Sequence, residues 1–150
     1  MAMGLFKSKE EKLALNIKSL LEKQYGFEFE LDKRDNGAVT LSNVMEYKNK
    51  YLIHLLIYVC DIFVSMDSTL FTEIRMDSLQ DPVKTMLEIM DETECYISKD
   101  DNDQKIELEL CYEIEYDYAE KDPRSVLSLT RTLIHHMSQS ADDLVEMGLM

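Results

Sequence analysis

Apolar and polar positions alternate along this chain with two different periods, and the switches between them mark its elements. Leu13, Ile17, Leu20 and Leu21 recur at i, i+4, i+7 and i+8, one stripe of a 3.6-residue period. Ser8, followed three residues later by Glu11, forms a capping box in which each side chain can satisfy a backbone N–H of the first turn. Gly26 supplies the positive φ of a helix stop. The pattern predicts a helix over residues 9–25.

The period then drops to two. Phe27, Phe29 and Leu31 alternate with Glu28, Glu30 and Asp32, the mark of a strand with one apolar face. Asn36-Gly37 predicts a tight hairpin with a type I′ turn, whose two central residues need positive φ, and Val39 and Leu41 resume the alternation. The nearly continuous apolar run Tyr51 to Cys60 predicts a central strand covered on both faces, with Asp61 at its turn. From 62 to 76 the pattern divides. Ile62, Val64 and Met66 alternate as in a strand, whereas Leu70, Phe71 and Ile74 fit a short helical turn.

Asp81-Pro82 is a helix start, with Asp as cap and Pro where its missing N–H costs nothing; Val83, Met86, Leu87 and Met90 form the buried stripe. Cys95 to Lys99 reads as a strand and Asp100-Asp101-Asn102-Asp103 as a turn. Lys105 to Tyr118 is then the longest strand: Ile106, Leu108, Leu110, Tyr112, Ile114, Tyr116 and Tyr118 alternate with Glu107, Glu109, Cys111, Glu113, Glu115 and Asp117. Asp122-Pro123 repeats the helix-start signal. Val126, Leu129, Leu133, Met137, Ala141 and Leu144 carry an apolar stripe through a final helix over residues 123–147.

Helices and hairpins in this order, without a strand–helix crossover series, define an α+β fold: an antiparallel sheet of about five to six strands with N-terminal, middle and C-terminal helices packed on it. At 150 residues, with four Gly, two Pro and no linker or repeat, the expectation is a single domain over 1–150.

Composition narrows the classes of function. The longest apolar run is half the length that a membrane-crossing helix needs, and charges begin at Lys7 before any signal-like apolar stretch, so a cytoplasmic protein without a membrane partner is expected. Cys60, Cys95 and Cys111 contain no C-x-x-C pair, and Cys60 and Cys111 fall within strands as small apolar residues of a reducing compartment. The net charge is −14, and it is unevenly spread: residues 7–23 carry +2, residues 77–122 carry −12. A field of that sign repels phosphate backbones, so nucleic acid is not an expected ligand.

No constellation of reactive side chains meets the spacing or burial that its chemistry requires. His54 has no second ligand residue at i+2, and His135-His136 point about 100° apart on a helix, so neither predicts a metal site. In the acidic turn from Asp100, a calcium loop would place Lys105 or Ile106 at the obligatory Gly and Cys111 or Tyr112 at the bidentate Glu. Glu107, Glu109, Glu113 and Glu115 form the polar side of a strand, with no sign of the burial that general acid catalysis requires. No phosphate-binding Gly loop or nucleophile elbow occurs. The expectation is a non-enzymatic protein without cofactor or metal.

The segment Pro82 to Met147 resembles the second half of YbjN-like domains, which share a fold with type III secretion chaperones. The resemblance rests on a short apolar helix (Val83 to Glu92), a strand–turn–strand (Cys95 to Lys99 and Lys105 to Glu115) and a closing amphipathic helix (Ser125 to Glu146). It implies a small acidic protein, commonly homodimeric, that binds other proteins in a chaperone-like or regulatory role. The expected homodimer uses the final helix or a sheet edge. The binding surfaces then expected are Leu108, Leu110, Tyr112, Ile114 and Tyr116 on the sheet and Leu129, Leu133, Met137 and Leu144 on the final helix. The alternative is an acidic inhibitor or immunity-type protein that blocks a basic nucleic-acid-binding surface. A metal-dependent hydrolase using surface carboxylates stands third.

Overall fold

A computed structural model describes residues 7–26, 28–47, 51–71, 96–100 and 105–146. Along the chain it has α1 (Lys9–Tyr25), β1 (Glu30–Lys33), β2 (Val39–Tyr47), β3 (Tyr51–Val59), β4 (Phe63–Phe71), β5 (Tyr96–Asp100), β6 (Lys105–Glu115), α2 (Tyr116–Lys121) and α3 (Arg124–Glu146). The six strands hydrogen-bond in the order β1-β2-β3-β4-β6-β5. The fold is α+β, an open antiparallel sheet with the N-terminal helix and two C-terminal helices packed on it. The helix expected from Asp81-Pro82 lies outside the described residues, as do Phe27, Cys95 and residues 72–76.

Local signals account for the ends of α1. The Ser8 hydroxyl accepts the Glu11 N–H at 3.1 Å, while the Glu11 carboxylate reaches Lys33 Nζ of β1 at 3.1 Å. One half of the capping box therefore closes locally and the other ties helix to sheet. Gly26, at φ 75°, closes the helix by donating its N–H to the Glu22 carbonyl at 2.9 Å. The chain then turns into the sheet under Glu22, whose carboxylate is joined to Lys18 and accepts the Phe29 N–H at 3.2 Å. The Lys18 ammonium, and next the Phe29 N–H, hold the Glu22 carboxyl below the usual carboxylate range.

The first hairpin differs from the expected type I′ turn. Lys33 pairs with Val39, Arg34 N–H reaches Ala38 O at 2.8 Å, and Gly37 N–H reaches Arg34 O at 3.1 Å. Three residues thus form the loop, a type I turn followed by a left-handed residue, and Gly37 takes that position at φ 88°. Asn36 contributes through its side chain, its Oδ1 accepting the Ala38 N–H at 3.0 Å.

Two further expectations are corrected. Strand β3 lies inside the sheet, but of its described side chains only Ile53, Leu55, Ile57 and Val59 are buried; His54, Leu56 and Tyr58 are half-buried and Leu52 is 48% exposed, so one face is covered more fully than the other. Residues 63–71 form one continuous strand, with Val64, Met66 and Leu70 buried on alternate positions, which excludes a helical turn at Leu70 and Phe71. Ile62 belongs to the preceding turn.

Strand β6 also stops earlier than expected, at Glu115. Tyr116 and Tyr118 lie in α2, because Tyr116 spends its N–H on the Ile62 carbonyl at 2.9 Å and its hydroxyl on the Lys9 carbonyl at 3.1 Å. The alternation of tyrosines continues past the point at which the backbone changes period.

Close packing groups the chain into two compact units. The first comprises Met1–Asn43, Leu55–Met66 and Cys111–Arg131; its core joins Leu13, Ile17 and Leu21 of α1, Val39 and Leu41 of β2, Leu55, Ile57 and Val59 of β3, Val64 and Met66 of β4, and Tyr116, Ala119 and Val126. The second comprises Val44–His54, Asp67–Leu110 and Thr132–Met150; its buried side chains include Ile53, Leu70, Leu108, Leu110, Leu133, Met137, Ala141 and Leu144. Hydroxyls within α3 are absorbed by the helix itself: Thr130, Ser138 and Ser140 donate to carbonyls four residues earlier, at 2.7, 2.8 and 2.9 Å.

Candidate functional site

The residues that periodicity marked as binding surfaces are mostly interior. Leu108, Leu110, Tyr116, Leu133, Met137 and Leu144 are buried, and Tyr112, Ile114 and Leu129 are half-buried. As folded, the six buried side chains pack the core.

What the first unit does present is the group of chain segments around the β3–β4 turn. Cys60 N–H reaches Phe63 O at 3.0 Å, closing a tight turn, and the Cys60 Sγ accepts the Phe63 N–H at 3.4 Å. With only Asp61 and Ile62 between them, Ile62 has no neighbour to pack under and is 71% exposed. Its carbonyl, however, is held by the Tyr116 N–H, which brings the start of α2 to the turn. Two residues further, Tyr118 is 57% exposed.

Rigid elements support this surface. Tyr58 and Phe63 stack with ring centroids 5.9 Å apart, and the Tyr58 hydroxyl accepts from Asn36 Nδ2 at 3.0 Å, linking the first hairpin loop to the ring pair. Beneath α2, Tyr116 is 3% exposed, and the Lys9 ammonium sits 4.6 Å from the centre of its ring. Burial, reinforced by the Glu120, Glu10 and Asp117 carboxylates, pushes the Tyr116 phenol above its ordinary value, so it stays a neutral donor to Lys9. A cleft of about 170 Å³ opens beside it, lined by Lys9, Lys12, Leu13, Asn16, Tyr116 and Glu120.

Acidic side chains share the segments that carry the apolar ones. Asp61, Glu113, Glu115, Asp117 and Glu120 are exposed, and none forms an ion pair among the described residues. Lys121 is the single cation in the segment from Glu113 to Asp122. Glu120 shares its cleft with Lys9 and Lys12, so the surface combines accessible apolar area with an excess, not a monopoly, of negative charge.

Among the described residues, the histidines and thiols offer no rival site. His135 and His136 have ring centroids 6.0 Å apart at 48°, Cys60 is committed to its turn, and Cys111 is exposed on β6. Among the described residues no cluster of His, Cys, Asp or Glu has the makings of a metal site, and no helix is long and apolar enough to cross a membrane.

Ile62 and Tyr118 escape a periodicity argument for a physical reason. Each belongs to an apolar alternation that the backbone does not follow there, since Ile62 lies in a turn and Tyr118 in a helix that begins at Tyr116. Comparison with known proteins adds no relative: no family model, curated protein or solved structure matches this chain.

Proposed function

We propose that this chain acts by binding another protein, without catalysis, in a chaperone-like or regulatory role of the kind its resemblance to YbjN-like domains implies. The observation that carries the reading is the exposure of Ile62 and Tyr118 on a turn and helix start that hydrogen bonds hold in place. An isoleucine left in water forgoes about 2 kcal/mol that a partner can recover by covering it. A framework already fixed adds little ordering cost on association.

Sheet-edge pairing is the less favoured route. The edge strand β1 is four residues long and carries Glu30, Asp32 and Lys33, and the opposite edge, β5, has five residues. Short, charged edges resist addition of another strand. Most exposed positions of α3 are polar as well, with Arg124, Ser128 and Arg131 in the first unit and Thr132, His135 and Gln139 in the second, and Val145 as the apolar exception. A homodimer through either surface has little apolar area to use.

A second reading is favoured by the five carboxylates that form no ion pair among the described residues: an acidic inhibitor that occupies a basic surface by charge alone. Variants separate the two. With the full chain isolated from its own cells, Ile62→Asp combined with Tyr118→Ser is expected to lose a bound protein at least about tenfold while unfolding at an unchanged temperature. Retention of that protein by the double variant, with loss on neutralising Glu113 and Glu115 instead, supports the inhibitor reading and contradicts the first.

A further inference from the structure

Resting on the protein-binding reading, we infer that the surface around Ile62 and Tyr118 receives a partner segment in which lysine or arginine side chains flank an apolar anchor. The apolar side chains and the carboxylates belong to the same short stretches: Asp61 precedes Ile62, and Asp117 and Glu120 flank Tyr118 on α2. A segment that seats an apolar residue here therefore brings its neighbouring side chains among acids that outnumber the nearby cations, Lys121 on the same helix and the Lys9 and Lys12 that line the cleft with Glu120. Basic neighbours gain from that field, and acidic ones are repelled. The exposed Tyr118 ring adds a face over which a guanidinium can lie.

The same charge argues against a second copy of this chain as the occupant. In a two-fold dimer each patch meets itself, which sets Asp61, Glu113, Glu115, Asp117 and Glu120 against their own equivalents. With a net charge of −14 the two molecules repel at long range too. Nucleic acid and anionic lipid are excluded on the same ground.

The test uses the full chain, isotope-labelled for NMR, and three short synthetic peptides in which leucine alternates with arginine, glutamine or glutamate. The leucine–arginine peptide is expected to shift the amides of residues 58–63 and 113–120. The leucine–glutamine peptide is expected to bind the same residues about tenfold more weakly, because the charge and cation–π contributions are lost. Equal binding of the two at those residues overturns the inference and leaves the protein-binding reading standing. Absence of any response at those residues to all three peptides removes both. Self-association of the wild type that disappears in Ile62→Asp assigns the surface to a second copy, and that result also overturns the inference.

Discussion

Ile62 is the most exposed of the large apolar side chains among the described residues. It sits in a two-residue turn whose carbonyl is engaged by the Tyr116 N–H, so its backbone is fixed while its side chain stays in water. Replacing it with Asp removes no buried contact, and the expected stability change is within about 0.5 kcal/mol. Chemical denaturation checks this; a loss several times larger would show that Ile62 is structural. Tyr116 behaves in the opposite way. Tyr116→Phe deletes the 3.1 Å hydrogen bond to the Lys9 carbonyl and is expected to cost about 0.5–1.5 kcal/mol near neutral pH. Because the native phenol is held above its ordinary value, its contribution is complete below the unfolded value of about 10 and declines as pH rises towards the native one. The difference between wild type and Tyr116→Phe should therefore shrink above that pH, as followed by urea unfolding at a series of alkaline pH values.

Elements are where sequence and structure agree most closely. Both ends of α1 are legible because the groups that define them are local: the Ser8 hydroxyl three residues from the N–H it accepts, and Gly26 in the left-handed region. Ser8→Ala is expected to cost about 1 kcal/mol in thermal or denaturant unfolding. The Lys18–Glu22–Phe29 junction adds a pH signature. Glu22 is held below the usual carboxylate range, so its contribution is present above the ordinary glutamate value of about 4.3 and is lost as pH falls through the lower native one. An acid titration of Glu22→Gln should show a shallower loss in that window. The end of β6 was not legible, since Tyr116 and Tyr118 extend the alternation and the hydrogen bonds that redirect them come from Ile62 and Lys9, far away in sequence. The same limit explains the binding residues. Leu133, Met137 and Leu144 are periodic because a core needs them, and periodicity therefore finds the interior. Leu133→Ala is expected to cost about 2–5 kcal/mol, against near zero for a side chain that only awaits a partner.

At the scale of the whole molecule, charge and exposure act together. In the proposed complex the excess of carboxylates would steer an oppositely charged partner, while the exposed Ile62 and Tyr118 would give it something to hold. A complex built this way should weaken severalfold between about 50 and 200 mM salt, as screening shortens the range of the acidic field, yet keep an apolar remainder that salt does not remove. Binding isotherms over that range check both parts. The most direct measurement places a photo-crosslinking residue at position 62 and, separately, at the exposed Gln139 of α3, in the full chain inside its own cells. A discrete adduct to another protein at position 62, and none at 139, is the predicted result. Adducts of equal yield at both positions, or none at 62, would contradict a partner seated on the β3–β4 turn.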